Sequence, residues 1–161
     1  MQSQQFEGFD KIPVCTPTSW LIKTAQEIGK DFISLTHEYT SDTIKHSMGG
    51  HSDLKTHGSA TLVLEDFQRI SCIVQNPNFA IIGAVRRAML INAYAKINDG
   101  MTYMYFEEIL QSRKNNALRG LTLYKISKPV TLIRFINIVT MNNKTDISKA
   151  RVIAAGGNPD G

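Results

Sequence analysis

A chain of 161 residues, 42% hydrophobic and 20% charged, is sized for one domain with its own core. No apolar run approaches the roughly 18 residues of a membrane helix, and Met1 to Gln5 carry neither the basic nor the apolar region of a secretory signal. The net charge of +4 is uneven: residues 1–110 hold nine Lys/Arg against twelve Asp/Glu, and residues 111–161 hold nine against two, the pattern of a polyanion-facing C-terminal third.

Residues 1–17 lack periodicity, contain Pro13 and Pro17, and are expected to form a lead-in arm. Leu21, Ala25 and Ile28 sit at helical spacing, with Ser19 as a cap and Gly29 as a stop. Residues 32–35 have a strand-like texture. Thr40 or Ser41 can cap a second short helix, with Asp42 near its positive end and Gly49-Gly50 ending it. Residues 51–60 are rich in His, Gly, Ser and Lys and read as a loop. Phe67, Ile70, Ile73 and Val74 predict an amphipathic helix that stops at Asn76-Pro77.

Strand texture follows at 79–82, 90–97 and 102–106, with Asn98-Asp99-Gly100 as the strongest turn signal in the chain. Residues 112–116 form a polar loop, 121–126 alternate as a strand, and 130–139 suit a buried strand or a helix. One compact domain over 18–150 is expected, with a mobile tail at 151–161. Helices first and strands afterwards predict an α+β fold, N-terminal helices packed on an antiparallel sheet of about four strands. Cys15 and Cys72 read as free thiols, with Cys72 in the core.

The chemistry centres on His46 and His51, which flank the Gly49-Gly50 break. Two imidazoles facing one cleft can give and accept protons near neutral pH, although histidines in polar loops are common. His57, with His46, His51 and Asp53, raises a zinc alternative, but the spacing matches no HExxH or finger pattern, so no metal or cofactor is expected. Thr122 and Tyr124 share one face of a predicted strand that follows the Arg113-Lys114 loop, where hydroxyls can bind phosphate oxygens and Arg119 can add charge. Tyr103, Tyr105 and Phe106 could stack on unpaired bases, with Phe106 better suited to the core. No phosphate loop, dinucleotide fingerprint or nucleophile elbow is present in the sequence.

Taken in order, Asp42-Thr43-Ile44-Lys45-His46 followed by His51, Leu64-Glu65-Asp66-Phe67, Asn76-Pro77, Tyr103-Met104-Tyr105 and Leu121-Thr122-Leu123-Tyr124 resemble the barnase/EndoU/colicin/RelE-type ribonuclease superfamily. Within it, they are most similar to toxin domains at the C-termini of phage head-associated and contact-dependent toxin proteins. The resemblance covers about residues 30–127. It implies a metal-independent endoribonuclease that cuts RNA, often tRNA, by 2′-hydroxyl attack to leave a 2′,3′-cyclic phosphate. His46 and His51 would be general base and acid in either order, and Thr122 would hold the scissile phosphate. Tyr124, Lys45, Arg119 or Lys125 would offset transition-state charge, with Arg113 and Lys114 in the basic loop. It also implies an acidic cognate immunity or antitoxin protein, action in the cytoplasm of a target bacterium, and delivery within a larger secreted or phage protein. A non-catalytic nucleic-acid-binding or phage adaptor module is the alternative that the charge distribution serves equally well.

Overall fold

A computed structural model describes residues 10–49 and 60–154. In chain order these form β1 (Ile12–Cys15), α1 (Ser19–Glu27), β2 (His37–Tyr39) and α2 (Ser41–Met48). A 3₁₀ helix (Leu64–Arg69) then runs into α3 (Ile70–Gln75). β3 (Phe79–Arg86), β4 (Met89–Asn98), β5 (Met101–Gln111) and β6 (Asn116–Ile126) follow, then α4 (Leu132–Asn137), a π turn (Ile138–Asn142) and β7 (Arg151–Ile153). The strands make one sheet in the order β1-β2-β6-β5-β4-β3-β7. Every pairing is antiparallel except that of β2 with β6.

This corrects the expected α+β arrangement of N-terminal helices on a small antiparallel sheet. The described sheet is mixed and has seven strands, and helices occur before, between and after the long strands. The short strands explain the difference. β1, β2 and β7 are three or four residues long, too brief for alternation to register, and each exists only through its partner strand. Residues 12–15 and 151–153, read as arm and tail, are the two edges of the sheet. Residues 32–35 are a turn closed by Leu35 N–H on Phe32 C=O at 3.1 Å, with Phe32 and Leu35 buried. Cys72 is exposed and Cys15 is the partly buried thiol, because α3 turns its Ile70, Ile73 and Val74 stripe to the core.

Helices cover both faces. On one, Leu21 and Ala25 of α1 and Ile70, Ile73 and Val74 of α3 pack with Tyr94, Tyr103 and Tyr105. On the other, Phe135, Ile138 and Val139 pack with Ala93, Ala95, Met104 and Phe106. Successive residues of a strand point to opposite faces, so two covered faces make β4 and β5 apolar nearly throughout rather than alternating. Residues 130–139, open to either reading, resolve as the helix that covers the second face. The β4–β5 hairpin turns through Asp99 and Gly100, both at positive φ, the two-residue turn that matches strand twist. Gly83, at φ +81, marks a bulge where any Cβ would collide with the Ile28 side chain. Among the described residues no helix is long and apolar enough to cross a membrane.

Candidate functional site

α2 begins with a reciprocal cap. Thr40 Oγ1 accepts from Thr43 N–H at 3.4 Å, and Thr43 Oγ1 accepts from Thr40 N–H at 3.1 Å, satisfying donors that a helix start leaves open. The helix lies along the edge of β6. β2 pairs with β6 only at Leu118 and Arg119, and beyond that point α2 takes the place of a neighbouring strand. Thr43 Oγ1 donates to Gly120 C=O at 2.8 Å, and Ser47 Oγ accepts from Leu123 N–H at 2.8 Å. Thr43 and Ser47 are four residues apart and share the buried face of α2.

The same geometry builds an open cleft of about 380 Å³ lined by Lys11, Thr40, Asp42, Thr43, His46 and Arg119, with Gly120 and Leu121 as its floor. Asp42 and His46 are four residues apart on α2 and both line it. Arg119 Nε donates to Glu38 Oε2 at 2.9 Å, so the guanidinium is held at the cleft by β2.

The structure brings His46 and Arg119 together. Thr122 is buried beside Ser47, with 3.4 Å between hydroxyls, beneath α2 rather than in the cleft. Tyr124 is buried on the second core face, where its hydroxyl donates to Asn143 Oδ1 at 3.1 Å. Lys125 bonds Asp66 at 3.3 Å and lies roughly 20 Å along β6 from Arg119. Arg113 and Lys114 are exposed in the β5–β6 loop, at the end of β6 away from Lys125. Lys45 is exposed on α2. His51, His57 and Asp53 lie outside the described residues, and so does the zinc alternative. Tyr103, Tyr105 and Phe106 are all buried, which removes them as open stacking platforms.

Sequence reasoning passed over Lys11, Asp42 as a site residue, and Glu38. The four-residue interval from Asp42 to His46 was the one available signal. It also passed over a buried polar network. His37 Nδ1 is 2.7 Å from Glu107 Oε1, and both residues are almost fully enclosed, at 1% and 0% exposure. Glu107 Oε2 accepts from Asn92 Nδ2 at 3.0 Å and from the Tyr94 hydroxyl, while Asn92 Oδ1 accepts from Gly83 N–H at 3.1 Å. Adjacent strand residues diverge, so β2 sends His37 into this core network and Glu38 to Arg119 at the cleft. Burial, reinforced by the Glu107 charge, pushes the Tyr94 and Tyr105 phenols well above their ordinary range. Among the described residues, Tyr105 Oη is a buried polar atom with no hydrogen-bond partner. Comparison of the chain with protein-family models, curated proteins and solved structures finds no match.

Proposed function

We propose that the chain is a metal-independent endoribonuclease acting at the α2 cleft. The observation that carries this reading is the shared lining of His46, Arg119 and Lys11 beside the Thr40 and Thr43 hydroxyls. RNA supplies its own nucleophile, so the protein needs proton transfer and charge stabilisation only. The 2′-oxygen attacks phosphorus and loses its proton to a base, the P–O5′ bond breaks, and an acid returns a proton to the departing oxygen. His46 is one of these two groups, and His51, five positions on, is the sequence's candidate for the other. Arg119 and Lys11 offset charge on the phosphoryl oxygens, a part the resemblance gives to Lys45, Arg119, Tyr124 or Lys125, with Lys11 added by the lining of the cleft.

The resemblance further supports a toxin role, with tRNA as the frequent substrate and action in the cytoplasm of a target bacterium after delivery within a larger secreted or phage protein. An acidic immunity protein covering the cleft would complete the system, its association accelerated by charge. His46→Ala is expected to lower RNA cleavage about 10²–10⁴-fold with an unchanged melting temperature, because the residue is exposed. Cleavage should persist in EDTA. Parental cleavage by His46→Ala would refute the site, and loss of cleavage in EDTA would refute the mechanism. The basic C-terminal third serves a second reading equally well, RNA binding without cleavage, and a stable RNA complex with no new RNA ends would select it.

A further inference from the structure

The basic loop at Arg113 and Lys114 lines no part of the α2 cleft, and the fold gives it company. β4 and β5 are antiparallel with Ile91 opposite Glu108. The β3–β4 turn at 87–88 and the β5–β6 loop at 112–115 therefore project from the same end of the sheet, roughly 10 Å apart across two strand spacings. A third segment joins them. Val85 and Asp146 exchange backbone hydrogen bonds of 3.0 and 2.8 Å, and Arg86 Nε donates to Asn143 C=O at 3.1 Å. This bridge is antiparallel, so Lys144, two residues before Asp146, comes beside Arg87, two residues after Val85. Arg87, Lys144, Arg113 and Lys114 are exposed and Arg86 is half-buried. Among the described residues none of these five forms an ion pair. The carboxylates at this end are Asp31 and Asp146, and Asp146 is shared with Lys149. Gln111 Nε2 donates to Asp31 C=O at 2.7 Å, which sets the turn at 32–35 against the root of the β5–β6 loop. That turn buries Phe32 and Leu35 but leaves Ile33 63% exposed.

We propose that this end of the sheet is a docking face for an anionic lipid bilayer, independent of the ribonuclease reading. Charge complementarity carries it. Arg86, Arg87, Lys144, Arg113 and Lys114 stand against Asp31 once Asp146 is set against Lys149, and about four to eight clustered cations are what holds a protein at an anionic leaflet. Shape selects a lipid surface over a nucleic acid. Cations on turn tips that project in one direction meet a plane together, whereas a single strand is tracked by a groove with aromatic platforms. These turns expose no aromatic ring, Phe32 being fully buried. Ile33 supplies what a phosphate backbone has no use for, an aliphatic side chain beside the cations that gains by burial at the headgroup boundary. Charge with one such side chain gives a reversible, salt-sensitive attachment rather than insertion.

The test is co-sedimentation of the full chain with phosphatidylcholine vesicles, with and without about 30% phosphatidylserine. Partitioning at least about tenfold stronger onto the anionic vesicles is expected in about 0.1 M salt, and its loss in about 0.5 M salt. Arg113→Ser with Lys114→Ser and, separately, Arg87→Asn with Lys144→Asn should each weaken it about 25-fold, at about fivefold per cation. Asparagine tolerates the positive φ of 51° and 50° at positions 87 and 144, so that turn survives. Lys45→Gln with Lys128→Gln removes the same charge elsewhere and should keep partitioning within about threefold of the parent. Ile33→Ser should weaken it several-fold with no change in charge. Equal partitioning onto neutral vesicles overturns the proposal, and so does a loss confined to one of the two turns or matched by the Lys45 and Lys128 variant. Retention of polyuridylate by the chain, with no retention on anionic vesicles, would assign the face to nucleic acid instead.

Discussion

His37 and Glu107 form an ion-pairing couple that is almost fully enclosed. Removing a carboxylate and an imidazole from water is unfavourable unless each is matched, and here Tyr94, Asn92 and Gly83 N–H complete the matching. Loss of one partner strands the other in the core. His37→Ala and Glu107→Ala are each expected to destabilise by about 3–5 kcal/mol, with the double variant costing less than the sum. Chemical denaturation of the three variants measures this, and additive losses would contradict a coupled pair. Neither residue stood out in the sequence. Glu107 follows an apolar strand and is itself followed by Glu108, which reads as the polar end of that strand, yet β5 continues to Gln111. Its partner lies 70 residues away, beyond the reach of any local pattern.

α2 shows how an element can be legible while its task is not. Its cap residue, its acidic first turn and its end at Gly49 were all readable in chain order. That it would complete the edge of β6 was not, because the edge arises only when β2 stops pairing after Glu38 and Arg119. Ser47 carries that function by accepting from Leu123 N–H. Ser47→Ala leaves a buried amide without a partner and should cost about 1–3 kcal/mol, with faster hydrogen exchange at Leu123 as the site-specific readout. An unchanged Leu123 exchange rate would show that α2 does not seal the edge. The β4–β5 and β3–β4 hairpins make the same contrast. Asp99-Gly100 announced its turn, whereas Arg87 and Ala88 adopt positive φ of 51° and 68° with no residue type that favours it, a conformation imposed by the pairing of Arg86 with Met89.

At the scale of the whole molecule, folding offsets part of the charge segregation along the chain. Arg119, Lys125 and Arg151 come from the basic C-terminal third, and they pair with Glu38, Asp66 and Glu27 of the acidic remainder. The segregation seen along the chain is thus partly spent inside it. Buried phenols set a second global property. Tyr94 and Tyr105 keep their protons well above the ordinary range, whereas an unfolded chain releases them near pH 10. Above that pH the unfolded state binds fewer protons than the folded one, so stability is complete below it and falls as pH rises. Two such groups give a slope of about −1.4 kcal/mol per pH unit at pH 10, steepening toward about −2.7 near pH 11, and Cys15 and Tyr39, also raised, act in the same direction. Denaturation curves from pH 9 to 11 measure the slope, and a flat profile would show that the phenols ionise in place.

By itself the sequence determined the α2 cap and stop, the β4–β5 hairpin and the apolar β4–β6 segments, because each is written within a few neighbouring residues as spacing, turn chemistry or propensity. Tertiary structure alone decided the seven-strand mixed sheet, the burial of Thr122 and Tyr124, and the meeting of His46 with Arg119 and Lys11. Those outcomes depend on which strand edges find each other across the chain. Glu38 and Arg119, 81 residues apart, come together only through a parallel pairing two residues long, too short to leave a periodicity in the sequence.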